Sequence, residues 1–115
     1  MEEFEIVLYQ REDGKIPISE FINSLDKKMQ AKVIRSIGLL KKNGYELREP
    51  YTKVLQDGIL ELRVQQKNDI TRILYFFMIG RKIVLTNGFV KKTQKTPPKE
   101  IELAKKYRED YIKRI

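Results

Sequence analysis

Lys91-Lys92-Thr93-Gln94-Lys95-Thr96-Pro97-Pro98-Lys99-Glu100 places three clustered cations where an apolar strand ends and a helix begins. Charge gathered at such a junction favours anion binding, and the phosphates of a polyanion are the fitting target. Two arginines and a glutamate belong with them. Arg63 and Arg72 lie in neighbouring runs of strand character, and Glu61 stands two residues before Arg63. Side chains alternate across a strand, so Glu61 and Arg63 share one face while Leu60, Leu62 and Val64 take the other. If a two- or four-residue loop joins the runs, paired positions add to an odd total and Arg63 shares a face with Arg72. Two readings follow. Glu61 forms ion pairs on an open sheet, which at a surface are worth only about 0–1 kcal/mol, or the planar guanidinium forks hold phosphate at two points.

Phe89 shares parity with Lys91, so an aromatic platform beside a cation is available for stacking a base or ribose, although a phenylalanine near a strand end also suits a core. Tyr75 falls on the face opposite Arg72 with Ile73 and Phe77 and reads as a core aromatic.

Composition limits the chemistry these residues can do. The 115-residue chain, residues 1–115, is one domain's worth, with 41% hydrophobic and 35% charged residues. It has no cysteine, hence neither disulfides nor thiolate metal sites. It also has no histidine. Proton transfer therefore falls to Lys, Tyr, Asp, Glu or a substrate group, and zinc loses both preferred ligand types; no metal and no cofactor is expected. No apolar run reaches the roughly 18 residues of a membrane span, and Met1-Glu2-Glu3 opens acidic, unlike a signal peptide. A cytoplasmic location is the expectation.

The net charge of +8 is uneven. Residues 1–61 carry 10 Lys/Arg against 11 Asp/Glu, a net −1, and residues 62–115 carry 14 against 5, a net +9. A positive field confined to one part of a small domain attracts a polyanion. Lys105 and Lys106 suit a solvated helix face.

The elements that must position these groups can be read in order. Phe4-Glu5-Ile6-Val7-Leu8-Tyr9 reads as a strand, and Asp13-Gly14 as a turn. Ser19 is a candidate N-cap for a short helix with Ile18, Phe21, Ile22 and Leu25. Asp26 caps a second helix, whose Met29, Val33, Ile37 and Leu40 form an apolar stripe ending at Asn43-Gly44. Residues 45–58 form a connecting loop that can hold a short strand at Thr52-Lys53-Val54-Leu55. Runs from Ile59 to Gln65, Ile70 to Ile79 and Lys82 to Val90 suit an antiparallel meander. Thr96 followed by Pro97 resembles an N-cap with proline in the first turn, and Ile101, Ala104, Tyr107 and Tyr111 line one side of a last helix. The predicted class is α+β in the order β-α-α-β-β-β-α, an antiparallel-rich twisted sheet with the N-terminal helices on one face and a C-terminal helix.

Glu61-Leu62-Arg63, Arg72-Ile73-Leu74-Tyr75-Phe76, Asn87-Gly88-Phe89-Val90-Lys91-Lys92-Thr93-Gln94-Lys95-Thr96-Pro97 and Glu100-Ile101-Glu102-Leu103-Ala104 resemble the phage-derived Gp49-like, HigB-type branch of the RelE toxin superfamily. The resemblance covers almost the whole chain and implies a RelE-like fold. It also implies a ribosome-dependent endoribonuclease, the toxin of a type II toxin–antitoxin pair. Such an enzyme cuts mRNA in the ribosomal A site when the ribose 2′-hydroxyl attacks the adjacent phosphate, which inhibits translation and growth. The nucleophile belongs to the substrate, so a chain without histidine or metal can orient RNA and neutralise the developing charge.

The resemblance assigns Arg72, Lys91, Lys92 and Arg63 to catalysis. Lys95 and Phe89 are assigned to RNA binding together with Glu61, which is also an alternative general base. The implied partners are mRNA on the ribosome and a helix-turn-helix antitoxin of the HigA type. A non-cleaving RNA- or ribosome-binding module of the same fold is the competing reading, because some relatives use histidine in these roles. A DNA-binding repressor fits less well, since the second helix offers no polar recognition face distinct from its apolar stripe.

Overall fold

The computed structural model describes residues 3–91 and 95–115. Strand β1 (Glu5–Leu8) leads into helices α1 (Pro17–Asn23) and α2 (Lys27–Asn43), followed by a single 3₁₀ turn. Strands β2 (Thr52–Val54), β3 (Leu60–Gln66), β4 (Asp69–Met78) and β5 (Lys82–Lys91) come next, and helix α3 (Pro98–Lys113) ends the chain. The sheet order is β1-β5-β4-β3-β2, with β1 parallel to β5 and all other pairs antiparallel. The fold is α+β, as expected, with the short strand of the 45–58 segment realised as an edge.

Alternation sorts the central strands into two apolar layers. Leu62, Val64, Ile73, Tyr75, Ile83 and Leu85 meet Ile18 of α1 and Met29, Val33 and Leu40 of α2. Leu74, Phe76 and Val84 face the other way and meet Ala104 of α3. The sheet is thus sandwiched between α1/α2 and α3. Tyr75 is fully buried in the first layer. Its hydroxyl lies 2.5 Å from Thr52 Oγ1, and burial pushes its pKa up. It is a neutral core aromatic.

Asp26 caps α2 as expected, its carboxylate accepting the Met29 N–H at 2.7 Å. Gly44 ends α2 at φ +51, and a Cβ there would run into the Phe4 ring. Two expected caps are corrected. Ser19 lies inside α1, which starts at Pro17 because a proline at the first turn lacks only an N–H that has no helical partner. Thr96 makes no cap to α3 either; Pro97 occupies that position and the threonine hydroxyl points elsewhere.

The β3–β4 turn has two residues, Lys67-Asn68, with Gln66 paired to Asp69. The odd-sum register follows, and Arg63 faces Arg72. On the other side of β4 the register shifts. Ile73 pairs with Gly88 but Tyr75 pairs with Leu85, so Leu74 stands opposite the two residues Thr86 and Asn87. This β-bulge changes which face the following β5 residues occupy. Phe89 becomes the partner of Arg72 and packs on the α3 side, whereas Leu85 packs on the α1/α2 side. Gly88 then lies under α1, and a Cβ on it would come within 2.5 Å of the Phe21 ring.

Candidate functional site

Glu61, Arg63, Arg72 and Thr96 meet on the α3 side of the sheet. Arg63 Nε donates to Glu61 Oε2 at 2.7 Å, and Arg72 Nη1 lies 3.6 Å from Glu61 Oε1. Thr96 Oγ1 donates to that same Oε1 and accepts from Arg72 Nη1 at 3.2 Å. Glu61 and Arg72 are both 0% exposed, while the Arg63 side chain keeps 17%. The expected pairs on an open sheet are therefore buried ones. Their cause is positional: α3 packs on β4 and β5, and Thr96 just ahead of it bonds both Glu61 and Arg72.

Burial changes the energetics. Directly opposed like charges destabilise a sheet, and a buried guanidinium without a carboxylate is costly. Glu61 answers both needs by placing one oxygen on each arginine. Both its oxygens are thereby occupied, and it has no exposed surface from which to accept a substrate proton. Geometry makes it the residue that positions the two arginines.

Thr96, whose Thr-Pro step predicts a helix cap, instead joins this network through its hydroxyl. A Thr-Pro step before a helix carries the same pattern whether the hydroxyl turns to the helix or to a neighbouring strand. The signal favouring the strand is the cluster of charges at Glu61, Arg63 and Arg72.

A cleft of about 640 Å³ opens beside Thr96, walled by Lys53, Lys95, Pro98 and Ile101. Lys95 is exposed at its lip. Phe89, opposite Arg72, is half-buried against the second apolar layer. Lys91 pairs in register with Ile70, two residues from Arg72, and its side chain lies outside the described residues. Lys92 also lies outside them. Asn87, within the bulge, donates to the Glu100 backbone carbonyl at 3.2 Å and to Glu100 Oε1 at 3.1 Å, tying β5 to the first turn of α3.

Lys105 takes no part in this cleft; it bonds Asp57 at 2.8 Å and Glu102 at 3.4 Å. Its pKa is raised mainly by the Asp57 hydrogen bond. A solvated ion-pair role suits it. No helix of the structure is long and apolar enough to cross a membrane.

No curated protein matches the chain. The family model described as phage-derived protein Gp49-like (DUF891) matches residues 20–109, which include every residue of the network and of the cleft. This chain therefore belongs to the phage-derived Gp49-like family, a family associated with RelE-type toxins.

Proposed function

We propose that this protein is a toxin of the HigB type, a metal-independent endoribonuclease that cleaves mRNA in the ribosomal A site. The observation that carries the reading is the buried Arg63–Glu61–Arg72 network joined through Thr96 to a cleft with lysines at its mouth. In the proposed reaction the 2′-hydroxyl oxygen forms a bond to the adjacent phosphorus as the bond from phosphorus to the 5′-oxygen breaks. The 2′ proton leaves to a base and the departing oxygen gains one, giving a cyclic phosphate and a 5′-hydroxyl.

No step needs a protein nucleophile, which suits a chain without cysteine or histidine. Preorganised positive charge does the main work by meeting the charge that develops on the phosphorane. Arg72 has the central place. A phosphate oxygen takes the position that Thr96 Oγ1 holds against Arg72 Nη1, exchanging a neutral hydrogen bond for a stronger charge-assisted one. Arg63 holds the neighbouring oxygen, Lys91 and Lys92 supply charge and proton transfer, and Lys95 and Phe89 meet the RNA at the mouth. Glu61 keeps the two arginines apart and aimed. The partner that silences the toxin is a helix-turn-helix antitoxin of the HigA type whose acidic groups cover this basic surface.

The test is induction in growing cells with mapping of mRNA 5′ ends. New ends within translated frames, abolished by Arg72→Ala or Lys92→Ala in folded variants, are expected. Growth arrest without new ends would replace cleavage with the non-cleaving ribosome-binding reading, which the occupied oxygens of Glu61 and the missing histidine favour.

A further inference from the structure

β2 covers β3 from Leu60 to Leu62 and the Arg63 N–H donates to the Tyr51 carbonyl at 2.9 Å, so Val64–Gln66 run on past it. Beside that free stretch lies a groove of about 460 Å³, separate from the cleft at Thr96. Lys32, Arg35 and Ser36 of α2 form one wall, and Tyr51 and Arg63 form the other. Among the described residues, no carboxylate lines it. Lys32 and Arg35 have no ion-pair partner among the described residues, and Lys32 reaches only the Gln65 carbonyl at 3.5 Å.

The sequence of α2 makes this unusual. It carries six cations, Lys27, Lys28, Lys32, Arg35, Lys41 and Lys42, and no acid. Lys28, Lys32 and Arg35 recur at i, i+4 and i+7, so like charges stack along one side of the helix, a spacing that weakens it. Acids elsewhere in residues 1–61 cancel the helix's charge in the net of that half. The positive field is thus not confined to residues 62–115.

We propose that this groove is a second RNA subsite, which holds a phosphodiester and base of the single strand on one side of the scissile bond. The proposal rests on the nuclease reading above and adds the path of the substrate. Arg63 belongs to both places, bonded through Nε to Glu61 in the network and lining the groove. A strand anchored on the network therefore meets the groove next. Tyr51, 52% exposed, supplies a face for stacking beside three cations, the combination that suits single-stranded nucleic acid better than a free phosphate or an acidic peptide.

The test uses a labelled 2′-O-methyl 12-mer RNA, which lacks the attacking hydroxyl, titrated by fluorescence anisotropy over a range of salt. Lys32→Gln/Arg35→Gln should weaken binding about tenfold near 100 mM salt and flatten the log–log salt slope by about 1.4, the loss of two phosphate contacts. Tyr51→Ala should weaken binding with the slope unchanged. Lys41→Gln/Lys42→Gln removes the same charge further along the same helix and should shift affinity less than about twofold. Thermal midpoints establish that the variants are folded. No binding by the wild type, an unchanged Lys32→Gln/Arg35→Gln variant, or equal losses in both double variants would overturn the subsite; loss of binding to an acidic partner alone would do the same. If induced wild type makes no new mRNA 5′ ends, the nuclease reading falls, and the anisotropy comparison still decides the groove.

Discussion

Arg63 and Arg72 face each other across β3 and β4, and a sheet accommodates that pairing because the Glu61 carboxylate reaches both. Removing one partner of a buried ion pair leaves the other charge uncompensated, which costs far more than the pair contributes. Glu61→Ala should lower stability by about 3–5 kcal/mol, read as a drop in the urea midpoint. An unchanged midpoint would show that the arginines find other compensation. How far these residues could be read in advance follows from their physics. Arg63 and Arg72 share a face by strand parity and a short turn, both local properties of the sequence. The burial of Glu61 depends on Thr96, 35 residues away, and on the packing of α3 over the sheet, neither of which has a local signature.

At the scale of elements, two contacts decide how helices seat on the sheet. Gly88 lets the Phe21 ring of α1 lie on β5 beside the bulge. Gly88→Ala should cost about 1–3 kcal/mol by overpacking, and Phe21→Leu should recover part of it in a double-mutant cycle. The bulge itself was not legible, since an extra residue in β5 leaves the hydrophobic pattern of the strand nearly unchanged. On the opposite side of the sheet α3 is held by Tyr9, whose ring stacks on Tyr107 at 4.6 Å and whose hydroxyl donates to Asp110 at 2.6 Å. Arg114 pairs with the same carboxylate and donates to the Gln10 carbonyl. Burial and then the Asp110 hydrogen bond push the Tyr9 pKa up to about 12. The unfolded chain loses that proton near the ordinary value of about 10 and the folded chain near 12, so this contribution is full below 10 and is lost as pH rises through 12. Tyr9→Phe should remove that alkaline decline from a stability–pH curve. The Asp110 carboxyl is held below its usual range by Tyr9 and then Arg114, so its contribution is lost instead as pH falls through its lowered value.

For the whole molecule, the order of the sheet matters more than any single contact. β1 begins at residue 5 and has one neighbour, β5, which begins at residue 82; the network needs Thr96, and the second apolar layer needs α3. Pairings this distant in sequence form late, after the loop entropy of the intervening chain has been overcome. A chain ending at residue 97 should lack cooperative unfolding and be cut rapidly by protease, and resistance equal to full length would refute that dependence. β3 and β4, with Glu61, Arg63 and Arg72, are made before Thr96 and α3 exist to enclose them. During synthesis, then, the growing chain holds the charged parts of its network without the pieces that aim them. The order of the strands acts as a timer, withholding the finished site until Thr96 and α3 have been added.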